Sequence, residues 1–400
     1  MTDIVAFPQD RTCPYEPAPG YRPLAERRPI APITLYGGGQ GWAVTGYELT
    51  RTLLSDPRIS SDRDDPAWPV ANAAAAAAVH FSDAQKKAVR FLTGMVGVDG
   101  HEHHALRAPV AAILTPDLVD ALRPAIREVV DRALDDMVER GAPADLVQAF
   151  AFPVPLTALY TALGIPAEDH EYFTHQSRQI IVGQDVTAAH DEFVSYVDKL
   201  VARKRQDPGE SVLDALVREH GDVDPVGTLQ TLLILVVSGH HTTASTIALG
   251  AHTLLRHPEL LAELRADPSL LGPAVDELTR IVAVPDGLQR IAAADIEVGD
   301  TTIRKGDGVF FLFSLVNRDP EHYERPDSPD WHRPSYRDHL TFGSGPHECL
   351  GADLARAIME IAYRGLFERL PGLRLAGPAD DTPVKPGEAF QGLVELPVTW

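Results

Sequence analysis

The stretch Phe342-Gly343-Ser344-Gly345-Pro346-His347-Glu348-Cys349-Leu350-Gly351 constrains this chain more than any other part of it. Gly343, Gly345 and Gly351 free the backbone for turns with φ > 0 and for close approach to a flat ligand. The run Ala352 to Leu370 has helical spacing and no internal proline, which places Cys349 at a helix N-terminus. There the positive end of the helix dipole and unpaired backbone N–H groups favour a thiolate. A sulfur held in that way is a metal ligand or a nucleophile. No second cysteine lies nearby to make a zinc pair, since Cys13 is far off, and no obvious base is arranged to activate a nucleophile. A structural cysteine buried in a Gly-rich turn would explain one residue, but not Phe342, Gly345, His347, Cys349 and Gly351 at fixed offsets.

That pattern, Phe-x-x-Gly-x-His-x-Cys-x-Gly, resembles the haem-binding loop of the cytochrome P-450 family. The resemblance implies a mainly α fold with a small β region, holding haem b between a long helix and the cysteine loop. It makes Cys349 the proximal ligand of the iron and places Phe342, Gly345, His347 and Gly351 around the cofactor. It extends, on weaker motifs, from about Cys13 to Trp400.

The histidine-rich stretch Asp99 to Arg107 offers no His pair at i, i+4, the spacing that helical zinc sites use. His103 and Arg107 do stand four apart, two donors on one helical face. They resemble the family's His-x-x-x-Arg helix, which implies a contact with a haem propionate, and charge-assisted donors suit a carboxylate. Glu277 and Arg280 match the family's Glu-x-x-Arg, a pair that braces the core near the cysteine loop, and Arg290 matches a propionate-binding arginine. Val284, on an extended segment from Val282 to Leu288, and Phe390, in the closing turn, are candidate pocket residues.

Pro225 to His257 reads as one long apolar helix interrupted by Ser238-Gly239-His240-His241-Thr242-Thr243. So many polar groups in a buried helix need partners, and a helix opened at Gly239 would supply carbonyls. The segment resembles the family's central helix over the oxygen-binding face. Gly239 and Thr242 match its pattern, with Thr242 implied to orient oxygen and water. His241 departs from it, standing where most members carry Asp or Glu. Three readings stay open for His241: a substituted proton relay, a structural histidine near the surface, and altered or lost oxygen activation.

Elsewhere the apolar stripes predict helices over roughly Val110–Leu114, Leu118–Arg140, Leu156–Leu163, Glu168–Ile181 and Thr187–Arg205, the last two flanking a Val182-Gly183-Gln184 break where the family carries a mobile lid. Ile33–Tyr36 and Gly41–Thr45 read as a strand pair, followed by a helix from Tyr47 to Ser55. The alanine run Ala73 to Ala78 falls where the family builds the variable wall of its substrate pocket.

The 400 residues contain no linker and are expected to form a single domain. Two cysteines leave no disulfide framework, and the N-terminus carries neither a basic signal region nor an apolar anchor, so a cytoplasmic, membrane-free monomer is expected. A formal charge of −21 argues against nucleic-acid partners, although His347, Arg356 and Arg364 could form a basic patch beside the cysteine loop. With no flavin or iron–sulfur motif, the resemblance implies electrons from a ferredoxin and its ferredoxin reductase. It implies O2 as co-substrate and hydroxylation or oxidative coupling of a small natural product or short peptide. The alternative is a haem-binding ligand sensor, or an oxidase with impaired O2 activation because His241 replaces the acid.

Overall fold

A computed structural model of the chain describes residues 4–71, 76, 83–182, 186–220, 225–386 and 390–400. Of the alanine run only Ala76 is among them, and the Gly183-Gln184 break lies outside the described residues.

The architecture is mainly α with a small β region, as the sequence predicts. Helix Pro116–Arg140 starts where the Thr115 side chain accepts from Leu118 N, and its stripe Val119, Leu122, Ile126, Val130, Leu134 and Met137 is buried. That stripe packs on helix Ala352–Arg369, which follows the cysteine loop. Gly365 makes the approach possible, since a Cβ there would lie 2.8 Å from Val130 Cγ1. Helix Pro153–Leu163, ended by Gly164 with φ 82°, lies against both Pro116–Arg140 and the long helix Pro225–Arg256.

The long helix is apolar enough in length and composition to cross a membrane, but Leu229, Leu232, Leu233, Ile247, Leu249 and Leu254 are fully buried in this protein's own core. It is continuous from Pro225 to Arg256, so the opening expected at Gly239 does not occur. Two hydroxyls find partners without it. Thr242 Oγ1 donates to Ser238 O at 2.8 Å and Thr246 Oγ1 to Thr242 O at 2.9 Å, each one turn back.

The predicted strand pair forms, shifted towards the N-terminus: Ile30–Thr34 lies antiparallel to Gln40–Val44, with Ala31 opposite Ala43. It belongs to a six-stranded sheet in the order Val5–Ala6, Ile30–Thr34, Gln40–Val44, Gly308–Phe311, Leu288–Ala292, Ile59–Ser60. Strand Leu288–Ala292 carries Arg290, and Ile59–Ser60 leads the chain to Arg63. The sheet thus supplies one charged edge of the site. His103 and Arg107 share helix Gly100–Ile113, which starts earlier than the periodicity suggests and runs through Pro109.

Candidate functional site

The cysteine loop closes on itself. Cys349 N donates to Phe342 O at 2.8 Å and Glu348 N to Gly345 O at 3.0 Å. Gly343, with φ 77°, and Gly351 border the cavity above the loop. Gly345 does not border it. It takes φ 73°, and a Cβ there would sit 2.7 Å from Leu54 O, so packing against helix Tyr47–Leu54 demands this glycine rather than the approach of a flat ligand.

The Cys349 sulfur opens onto the cavity, enclosed by protein on its other sides. Burial pushes its thiol pKa up, against the opposing pull of the Gly351 N–H, Arg107 and Arg356. Cys349 lies just ahead of the helix, which begins at Ala352, and the Gly351 N–H at that N-terminus is among the groups that favour the thiolate. A cation in the cavity is what would favour the charged sulfur.

The cavity, of about 320 Å³, separates the cysteine loop from the long helix. Gly239, Thr242 and Thr246 form part of its far wall, while Leu159, Leu163 and Phe390 add apolar surface. The Gly239 backbone is also tight against helix Pro153–Leu163, where a Cβ would meet Leu159 at 3.2 Å. His241 does not border the cavity. It is exposed, with its ring centroid 5.3 Å from that of Phe152, whereas His240 is buried and its Nε2 lies 3.2 Å from Phe152 O. Val284 is likewise not a lining residue. It is fully buried in the helical core, its carbonyl accepting from Gln391 N at 2.8 Å, and Pro285 and Leu288 face the cavity instead. In an extended segment consecutive side chains face opposite sides, so a one-residue error in register moves the pocket contact to the neighbour.

One edge of the cavity is crowded with nitrogen donors. His103, Arg107, Arg290 and His347 all border it, together with Arg63. The His103 and His347 rings lie 3.9 Å apart, and His103 Nε2 is buried without a hydrogen-bond partner. Desolvation, with His347 and Arg107 adding to it, pushes the His103 pKa down to about 4. Arg107 donates to Glu348 O at 2.6 Å. Arg290 is buried and donates to Gln289 O, and burial with the nearby Arg63 lowers its pKa to about 10. Asp99 ties this edge together: it accepts from Ser60 Oγ and Ser61 N and lies 3.1 Å from His347 Nε2. Burial raises the Asp99 carboxyl, but these bonds prevail and hold it at about 2.

Beneath the loop, Arg280 grips Glu277 through two bonds of 2.7 and 2.8 Å and donates to Asn317 O and Pro326 O. Asn317 in turn donates to Thr341 Oγ1 and accepts from Leu340 N, next to Phe342. The pair thus reaches the cysteine loop through Asn317. Sequence reasoning missed Arg333, whose Nε donates to Glu277 Oε1 at 2.9 Å, and Arg63, because neither stands in a motif with its spatial neighbours. Arg356, expected in a surface patch, is committed to Asp276 at 2.6 Å and lies over the Phe342 ring.

Residues 171–370 match the Cytochrome P450 family model. The chain is 48% identical to pentalenic acid synthase of Streptomyces avermitilis, covering 99% of this chain and 97% of that protein. It is also 48% identical to cytochrome P450-SOY of Streptomyces griseus, covering 99% and 95%. The solved structure of mycinamicin VIII C21 methyl hydroxylase from Micromonospora griseorubida, bound to mycinamicin VIII, superposes with a TM-score of 0.82 at 35% identity, covering 99% of this chain and 100% of that one. The chain belongs to the cytochrome P450 family, and the family implies a haem cofactor.

Proposed function

We propose that the chain is a cytoplasmic haem-thiolate monooxygenase that hydroxylates a small natural product. The observation carrying this reading is that Cys349 faces Gly239 and Thr242 across one cavity whose edge holds cations and an orphaned buried His103 Nε2. These residues fit a haem b: a thiol for the iron, and His103, Arg107, Arg290 and His347 as donors for two propionate carboxylates. When bound, such a haem supplies dioxygen activation driven by thiolate donation.

The chain's own residues do the rest. Phe342, Gly343 and Gly351 form the surface next to the sulfur, and Leu159, Leu163 and Phe390 keep the substrate side apolar and exclude water. Thr242 Oγ1, now donating to Ser238 O, is a hydroxyl on the cavity wall able to hold a water or pass a proton. His241, one residue earlier and exposed, is the solvent end of that path, taking the place of an acid. Electrons come from a ferredoxin and its reductase. Hydroxylation is preferred to coupling because relatives are named mycinamicin VIII C21 methyl hydroxylase and 20-oxo-5-O-mycaminosyltylactone 23-monooxygenase.

The test is turnover with a surrogate ferredoxin pair under isotope-labelled dioxygen, scanning apolar natural products by mass spectrometry. One labelled oxygen atom in the product is expected. In Thr242→Val, product per reductant consumed should fall on the order of a hundredfold, the low end of what positioned proton transfer contributes. Reductant use without labelled product in the unaltered enzyme would contradict the reading.

A further inference from the structure

The chain leaves helix Leu271–Val282 through Ala283, which takes φ 39° and ψ 62°. That is the left-handed region, where an L side chain crowds its own backbone and glycine is the usual occupant. Among the described residues only one other non-glycine residue, Arg325, has a positive φ. Pro285 and Leu288, a few residues on, border the cavity, and Pro285 bridges to Phe390. A proline at 285 holds Val284 extended, so the direction in which this wall leaves the helix is set at Ala283.

Arg11, from the far end of the chain, grips that turn. Its Nη1 donates to Val282 O at 2.8 Å and its Nη2 to Ala283 O at 3.3 Å, while Nη2 lies 3.6 Å from Asp286 Oδ2. Both Arg11 and Asp286 are buried. The planar fork thus binds the carbonyls on both sides of the left-handed residue and a carboxylate beyond it. Asp286 Oδ1 in turn accepts from Ser314 N at 3.0 Å, next to Phe313, another residue of the cavity wall. The same N-terminal segment supplies Phe7, whose ring covers Gly287: a Cβ there would lie 2.3 Å from Phe7 Cζ. Resting on the haem-thiolate reading above, we propose that Arg11 is a positioning residue for substrate selection. It holds Ala283 in the left-handed conformation and so fixes Pro285 and Leu288 as a wall against which the substrate packs.

The test uses holoenzyme and two ligands of ferric haem, read by the shift of the Soret band. Imidazole is small and needs little of the wall, whereas clotrimazole carries several aromatic rings that must pack against it. The wild type is expected to prefer clotrimazole by about a hundredfold or more. Arg11→Lys keeps a charge for Asp286 but loses the fork, and should cut that preference about fivefold or more with imidazole affinity unchanged. Adding Ala283→Gly, which takes a positive φ without strain, should restore most of it. A stabilising role alone would lower the thermal midpoint of Arg11→Lys and leave the preference where it was, and that result would overturn the proposal. So would a lost preference that Ala283→Gly does not restore. Where Arg11→Lys yields no folded holoenzyme, Asp286→Asn, which keeps an acceptor for Ser314 N but gives up the charge facing Arg11, is read by the same criteria. The reduced carbon monoxide spectrum is recorded for each protein. A wild type without the thiolate-type band would overturn the haem-thiolate reading, whereas that band with an unmoved preference overturns only the role of Arg11.

Discussion

His240 shows how much a single side chain depends on its place in the helix. Desolvation, with His241 adding to it, pushes its pKa from 6.5 down to about 4, although the Phe152 carbonyl pulls the other way. Above pH 6.5 the ring is neutral folded or unfolded, and its contribution to stability is complete. As pH falls towards 4 the unfolded chain takes up a proton that the folded chain refuses, so stability declines. The thermal midpoint should therefore drop between pH 6.5 and 4, and His240→Gln should flatten that slope; parallel profiles for the two proteins would contradict the assignment. At this scale the sequence was legible where several residues shared one loop. Cys349 and its neighbours occupy fixed offsets on one backbone, so spacing and geometry coincide. Arg63 was not legible, because between Asp62 and Asp64 it reads as a solvated charge, and only folding turns it onto the cavity. Val284 failed by register alone, its neighbour Pro285 facing the cavity in its place.

Among the elements, helix Leu271–Val282 acts as a brace. Its Glu277 and Arg280 are both fully buried and reach the cysteine loop through Asn317. Breaking a buried pair by removing one partner strands the other charge, at a cost of about 3–5 kcal/mol. Arg280→Leu should lower the unfolding free energy in denaturant melts by about that amount. It should also weaken haem retention, since the Leu340–Phe342 turn loses its support; a change within about 0.5 kcal/mol would place the pair outside the core network. The existence of the long helix could be read from apolar spacing, while helix Leu271–Val282 showed itself only through its Glu-x-x-Arg motif. The continuity of the long helix could not. A run of six polar or small residues suggested an opening, whereas the Thr242 hydroxyl in it bonds one turn back and the helix stays continuous. Arg333 lies far along the chain from Glu277, and no periodicity links them.

Considered whole, the molecule sets the Cys349 thiol and a cluster of arginine and histidine donors around one cavity between the long helix and the cysteine loop. A metal cation there would favour the charged form of the sulfur, and carboxylates would give the arginines a counter-charge. The central claim is that Cys349 is the ligand that makes this centre a haem-thiolate. The most direct measurement is the absorption spectrum of the purified protein, ferric and then reduced under carbon monoxide, beside that of Cys349→His. The account predicts a strongly red-shifted Soret band for the wild-type carbon monoxide adduct and its absence in the variant. A wild-type band at the position typical of histidine-ligated haem, or no Soret absorption at all, would contradict it.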